Sequence, residues 1–142
     1  MHIEYALVAD HAEIAGNRLF VMGGGRDAFA IEKLPTTVRI ACAIGVRIAW
    51  EETNHPHQVR IIAEDDDGKE LVRVEAAVNA GRPPELAPGS GQLAQMASLM
   101  HLAVEREGGY RLHVSAGDGD RRVEQTVPFR IVKRKSAVPP QT

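Results

Sequence analysis

Cysteine is nearly absent from this chain of 142 residues, in which Cys42 is the only one. A single thiol cannot form an internal disulfide, so the fold has to depend on its core, and a chain of this length buries roughly 70% of its unfolded surface. Cys42 lies inside an apolar alternation, where we expect a small buried side chain. A catalytic thiol needs an exposed, electropositive environment, so we assign Cys42 no catalytic role.

Aromatic residues are also few: one Trp, two Tyr and three Phe. Sites that bind single-stranded nucleic acid stack the bases on exposed rings, and most of these six residues fall at positions that a core would take. The net charge of −2 provides no positive field for nucleic acid or an anionic membrane. We therefore expect neither a nucleic-acid partner nor a membrane partner.

Long apolar runs are missing from the strand-like segments. The uncharged stretch 40–46 is far shorter than the roughly twenty residues of a membrane span. The start has Glu4 in place of a positive region and a short apolar run at residues 5–9, which is not typical of a signal peptide. We expect a cytoplasmic protein with one domain at residues 1–133 and a flexible tail at residues 134–142.

The strongest pattern that is present is an alternation from Val38 to Trp50, in which every second residue is apolar. Side chains of a strand alternate between its faces, so this pattern predicts a strand with one buried side. Residues 93–104 alternate as well but also fit helical spacing, and we favour a strand there. Pro128 predicts that the last strand lies at an edge or carries a break.

These strands predict an all-β fold, an antiparallel β-sandwich of seven to eight strands. Immunoglobulin-like, Greek-key connections are favoured, and a jelly roll is the alternative. The expected core consists of Leu7, Phe20, Ile40, Cys42, Ile44, Val46, Ile48, Val59, Ile61, Val74, Leu112, Val127 and Phe129.

Three segments are candidate sites. The turn Gly23, Gly24, Gly25, Arg26 is a candidate for binding a small ligand or anion, although it lacks the Lys-Ser/Thr pair of a phosphate-binding loop. His55 and His57 could supply two imidazoles to a metal if the fold added further ligands. Ala41, Ala43 and Gly45 form a small-residue face on the long strand, which could lie under a loop or against another subunit.

Several short motifs carry a family resemblance. They are residues 3–10, residues 19–25, Gly81-Arg82-Pro83-Pro84, Gly109-Tyr110 and Val127-Pro128-Phe129-Arg130. Together they resemble a family of short bacterial all-β proteins catalogued only as a domain of unknown function, from which Arg26 departs because an aromatic is expected there. The resemblance implies a strand at residues 93–104 and assigns no activity. The final hairpin is also similar to that of immunoglobulin-like domains.

Three function classes follow from these patterns. The first is a non-catalytic interaction or assembly module, whose partner is another protein or a second copy bound through a sheet edge or face. The second is a small-ligand or anion-binding domain using the glycine turn. The third is a metal-dependent enzyme using His55 and His57. We expect no cofactor, and enzymatic activity is not favoured.

Overall fold

The computed structural model describes residues 1–134, so most of the tail predicted at 134–142 lies outside the described residues. Within residues 1–134, two short 3-10 helices, Trp50–Glu52 and Gly119–Arg121, are the only helices among the strands, and neither has the length and hydropathy of a membrane span. The strands are β1 (His2–Ala15), β2 (Arg18–Gly24), β3 (Ala28–Ile31), β4 (Thr36–Ile48), β5 (His57–Asp65), β6 (Glu70–Val78), β7 (Gln92–Val104), β8 (Gly108–Ala116) and β9 (Val123–Lys133).

The strands form two sheets, one in the order β2-β1-β4-β7 and one in the order β3-β9-β8-β5-β6. Every pairing is antiparallel except that of β3 with β9. The chain crosses between the sheets five times, and the crossings from β4 to β5 and from β7 to β8 are those of the Greek key of an immunoglobulin-like sandwich. The predicted antiparallel sandwich is confirmed, and the jelly-roll alternative is not adopted.

The predicted number of strands is too low, because nine are present within the described residues. The additional strand is β3, which is only four residues long and therefore shows no periodicity of its own. It pairs only with residues 130–133 of β9. Residues 123–129 of β9, which include Pro128, therefore have β8 as their only partner strand within the described chain. This is the edge environment that Pro128 predicts.

The core lies between the sheets and is centred on β4. Its inward side chains Ile40, Cys42, Ile44 and Ile48 have no exposed surface, as the alternation predicts. The pattern misplaces only the end of the strand, because Trp50 begins a 3-10 helix and is partly exposed. Residues 93–104 form β7, so the strand predicted there is confirmed.

Two predicted core residues are wrong: 49% of the surface of Phe20 is exposed, and Leu7 packs with Ala41 and Ala43 on the outer face of its sheet. The β1–β2 hairpin extends beyond Ala9, the last β1 residue paired with β4, and we call residues 10–23 the arm. The arm folds over the outer face of its own sheet, so β2 approaches β7 although two strands separate them in the sheet order. Phe20 lies on the side of the arm that faces solvent.

A hydrogen bond at the start of β8 fixes the connection between the two sheets. The Tyr110 hydroxyl donates to the carbonyl oxygen of Arg106 at 2.6 Å, and its ring stacks on Phe129 with centroids 5.8 Å apart. A tyrosine near the start of this strand, bonded to the backbone a few residues upstream, is the tyrosine corner of immunoglobulin-like sandwiches. It supports the strand assignment independently of the strand order.

Candidate interaction surface

The edges of the two sheets are the places where backbone groups are open to another chain. They are formed by β2, β7 and β6, and by β3 together with residues 123–129 of β9, a stretch that carries Pro128. Three of these strands carry features that discourage pairing with a foreign strand. Strand β3 is four residues long, β2 ends in a run of glycines, and β6 presents exposed charges at Glu70, Arg73 and Glu75.

Strand β7 has none of these protective features. It runs for 13 residues without a proline, and none of its residues is Asp, Glu, Lys or Arg. Its pairing with β4 continues from Val104 to Gln92 without a register shift, so no bulge twists the edge away. Within residues 1–134, its backbone hydrogen bonds to other strands go to β4 alone. We call the side of β7 opposite β4 the β7 edge.

Apart from Gln92 and Gln95, the side chains along the first half of β7 are apolar, and they are incompletely buried. Leu99 is 42% exposed, and Leu93, Ala94, Met96 and Ala97 are partly buried. In the second half of the strand, the inward side chains are buried in the core. The β7 edge therefore combines open backbone groups with apolar surface that another strand would cover.

Two glutamine side chains hold the first half of β7 in place. The Gln95 amide donates to the Tyr5 hydroxyl at 2.6 Å, and the Gln92 amide donates to the carbonyl of Gly81 at 2.6 Å. The neighbouring Arg82 guanidinium lies 4.1 Å from the centre of the Trp50 ring and donates to the Trp50 carbonyl. The loop before β7 is thus fastened to the body of the sandwich, which presents the edge as a preformed strand.

The glycine turn predicted to bind an anion already gives its arginine an internal partner. Arg26 donates to both carboxylate oxygens of Asp10, at 2.9 and 3.0 Å, and to the carbonyl of Ala28. Gly23 has a φ of 63°, and a Cβ there would lie 2.2 Å from an Asp10 oxygen, so only glycine fits beside this pair. Gly24 and Gly25 complete an exposed turn around it.

His55 and His57 do lie side by side, with ring centroids 4.4 Å apart. The Nε2–H of His57 donates to the carbonyl of Glu52 at 2.6 Å, and the Nδ1–H of His55 donates to the carbonyl of Thr53 at 3.1 Å. Within residues 1–134, no group of three or more His, Cys, Asp or Glu side chains is placed to hold a metal ion. The two imidazoles serve as backbone donors at the start of β5.

The small-residue face of β4 is occupied by the chain itself. Ala41 and Ala43 have no exposed surface, because the arm packs its Leu19 and Val21 against them. At Gly45 the ring of Tyr5 takes the space, since a Cβ would lie 2.3 Å from the Cε1 atom of that ring. Of the two arrangements that the sequence suggests for this face, the structure has it covered by the chain's own hairpin.

One polar network on the outer face of the five-stranded sheet has no signal in the sequence. The Glu64 Oε1 atom accepts from His113 at 2.6 Å and from Arg111, and the other ring nitrogen of His113 lies 3.1 Å from the Thr126 hydroxyl. The hydrogen bonds from His113 and then Arg111 hold the pKa of Glu64 below its ordinary value. The four residues are brought together by strand pairing, and they sit on an open sheet face.

Cys42 is the remaining reactive type of side chain, and it is inert here. Burial raises the pKa of its thiol to about 12, so it stays protonated at neutral pH. It has no exposed surface. Cys42 therefore contributes packing volume to β4, as its place in the alternation predicts.

Comparison with known proteins places the chain in a family. A model described as a family of unknown function, DUF6941, matches residues 4–132. The chain belongs to the DUF6941 family. The predicted resemblance to a family of unknown function is therefore confirmed, and each motif on which it depends overlaps the matched residues.

No curated protein matches the chain. Among solved structures it is similar to the CARDB domain of the PF1109 protein from Pyrococcus furiosus, crystallised in complex with di-metal ions. The two are 11% identical with a TM-score of 0.43, over 92% of this chain and 94% of that one. The immunoglobulin-like assignment does not depend on this likeness, because the strand order of the chain itself defines it.

Proposed function

We propose that this protein is a non-catalytic interaction module that binds another polypeptide by strand addition to the β7 edge. In this mode the backbone of an extended partner strand pairs with an open edge, and side chains on alternate faces give specificity. The observation that carries the proposal is the contrast among the four edge strands: β7 is the long, uncharged one, while the others are short, glycine-terminated or charged.

The contacts within the chain favour this class over a ligand-binding or catalytic one. Arg26, the cation of the glycine turn, is already paired with Asp10, and His55 and His57 both donate to backbone carbonyls. Each candidate small-molecule site thus has its functional groups engaged in holding the fold. The β7 edge is different, because its backbone groups point away from the sandwich with no partner strand in the described chain.

Affinity capture from the cells that express the protein tests this proposal, with three baits compared. The tagged full-length chain is used as wild type, as Leu99→Lys on β7 and as the matched control Ala77→Lys at an exposed position of the β6 edge. A lysine on an edge strand discourages strand pairing. We expect a protein that binds wild type and the Ala77→Lys bait but not the Leu99→Lys bait.

The same lysate contains the untagged chain, so capture of a second copy is registered along with any other partner. Equal binding to all three baits would contradict the proposal, and so would a wild-type bait that captures neither another protein nor its own untagged copy. Thermal melts of the three baits identify any variant that has lost its fold.

A further inference from the structure

We infer that the polypeptide paired with the β7 edge is β7 of a second copy, an inference that rests on the function proposed above. The two strands would run antiparallel about a twofold axis perpendicular to the sheet and passing beside Ser98, the middle residue of β7. The two four-stranded sheets then join into one continuous sheet, with core-facing side chains on one side and arm-facing side chains on the other.

The sequence of β7 is matched to its own reverse about that centre. In antiparallel pairing, residues opposite each other share a face, and small residues opposite large ones pack without voids or clashes. Centring the axis at Ser98 pairs polar with polar and small with large along most of the strand. The opposed pairs across the two copies are Gln95 with His101, Ala97 with Leu99, Ser98 with Ser98, Met96 with Met100, Ala94 with Leu102 and Leu93 with Ala103.

Neighbouring registers lose this match. Moving the centre to Ala97 places Gln95 opposite Leu99 and leaves the last two residues of the strand unpaired. Moving it to Leu99 places Ala97 opposite His101 and leaves the first two residues unpaired. The register centred at Ser98 is the one that uses all 13 residues of the strand.

The absence of charged residues in β7 favours a second copy of β7, and not an unrelated strand, as the partner. A strand that pairs with its own copy meets its own charges near the axis, where like charges oppose each other at an energetic cost. Strand β7 carries no charged residue, whereas the other long edge strand, β6, carries three. Of the partly exposed apolar side chains, Ala97 and Leu99 lie opposite each other across the axis, so each copy covers part of the apolar surface of the other.

Sedimentation velocity of the purified full-length chain tests the inference across a micromolar concentration series. We expect wild type and Ala77→Lys to be dimers. In Leu99→Lys the new ammonium lies diagonally across the axis from its own copy, so we expect the dissociation constant to rise by about tenfold or more. A wild type that stays monomeric at high micromolar concentration overturns the inference, and so does a dimer that Leu99→Lys leaves unchanged.

A cysteine scan tests the register. Side chains directly opposite in a strand pair are close enough for a disulfide, so Ser98→Cys should form a covalent dimer under mild oxidation. In Ala103→Cys the two thiols would be on the order of 30 Å apart, at about 3.3 Å per residue, and no covalent dimer should form. Native Cys42 lies directly opposite Ser98 in the β4–β7 pairing and would compete for the new thiol, so both variants are made in a Cys42→Ala background. Crosslinking at residue 103 but not at residue 98 would refute the register.

These outcomes separate the two proposals. A monomeric wild type that still captures a different protein through the β7 edge refutes the second copy and leaves strand addition intact. A wild type that captures nothing and remains a monomer refutes both.

Discussion

The tyrosine corner gives a quantitative test of the fold, through the substitution Tyr110→Phe. The change removes one hydroxyl while the ring keeps its place against Phe129, because the side chain is only 4% exposed. It deletes the 2.6 Å hydrogen bond to the carbonyl of Arg106. An intramolecular hydrogen bond contributes roughly 1 kcal/mol, and an acceptor left without a donor adds to the loss. We therefore expect the free energy of unfolding to fall by about 1–2 kcal/mol.

The assay is urea denaturation at neutral pH, with thermal melting as a second measurement. For a domain of this length the melting temperature should drop by about 3–6 °C. Tyr5→Phe is the matched control, because the Tyr5 hydroxyl accepts only from the exposed Gln95 amide, and its loss should cost less than about 1 kcal/mol. If Tyr110→Phe costs no more than Tyr5→Phe, the corner does not stabilise the fold and the reasoning is refuted.

Three further results are expected. Cys42 should not react with a thiol reagent in the native protein at pH 8 and should react fully in denaturant, since burial raises its pKa to about 12; rapid native labelling would contradict this. Because the pKa of Glu64 is lower in the folded state, its carboxylate stabilises the fold at pH values above its unfolded-state pKa of about 4.3. This stability is lost as the pH falls through the folded-state pKa. Glu64→Gln should therefore be less stable than wild type at pH 7 and equal to it in strong acid. Denaturation curves at both pH values check this, and an equal deficit at the two would count against it. In the same assay, Gly45→Ala should lower the free energy of unfolding by about 1–3 kcal/mol, because its Cβ would clash with the Tyr5 ring. Replacing Tyr5 with a smaller residue in the same chain should restore part of that loss.

Much of the fold can be predicted from the sequence because apolar residues alternate with a period of two along the strands. The alternation from Val38 predicts the central strand, and the pattern at residues 93–104 predicts β7 once a sandwich is assumed. Strand β3 was missed because four residues show no period. Phe20 was misplaced because alternation says which residues share a face and does not say whether that face meets a core or, as on the arm, solvent.

The candidate site was less accessible to sequence reasoning, since it depends on which strands are neighbours. The absence of charge in β7 was visible, but its position at an edge follows from a strand order that no local pattern contains. Arg26 pairs with a residue 16 positions away, and Glu64 meets His113 across 49 positions. Such pairings decide whether a charged group is free to bind a ligand, and they are properties of the assembled sheets.

The arm buries the outer face of the middle of β4. A strand of a two-layer sandwich usually has one face in the core and one face exposed to solvent. In β4, however, Ala41 and Ala43 on the outer face are as fully buried as Ile40 and Cys42 on the inner face. The amides of residues 40–46 of β4 are therefore covered by side chains on both faces, and they should be the slowest in the protein to exchange with deuterium. Residues 41 and 43, which sit on what is nominally the outside, should tolerate enlargement as poorly as any position in the interior.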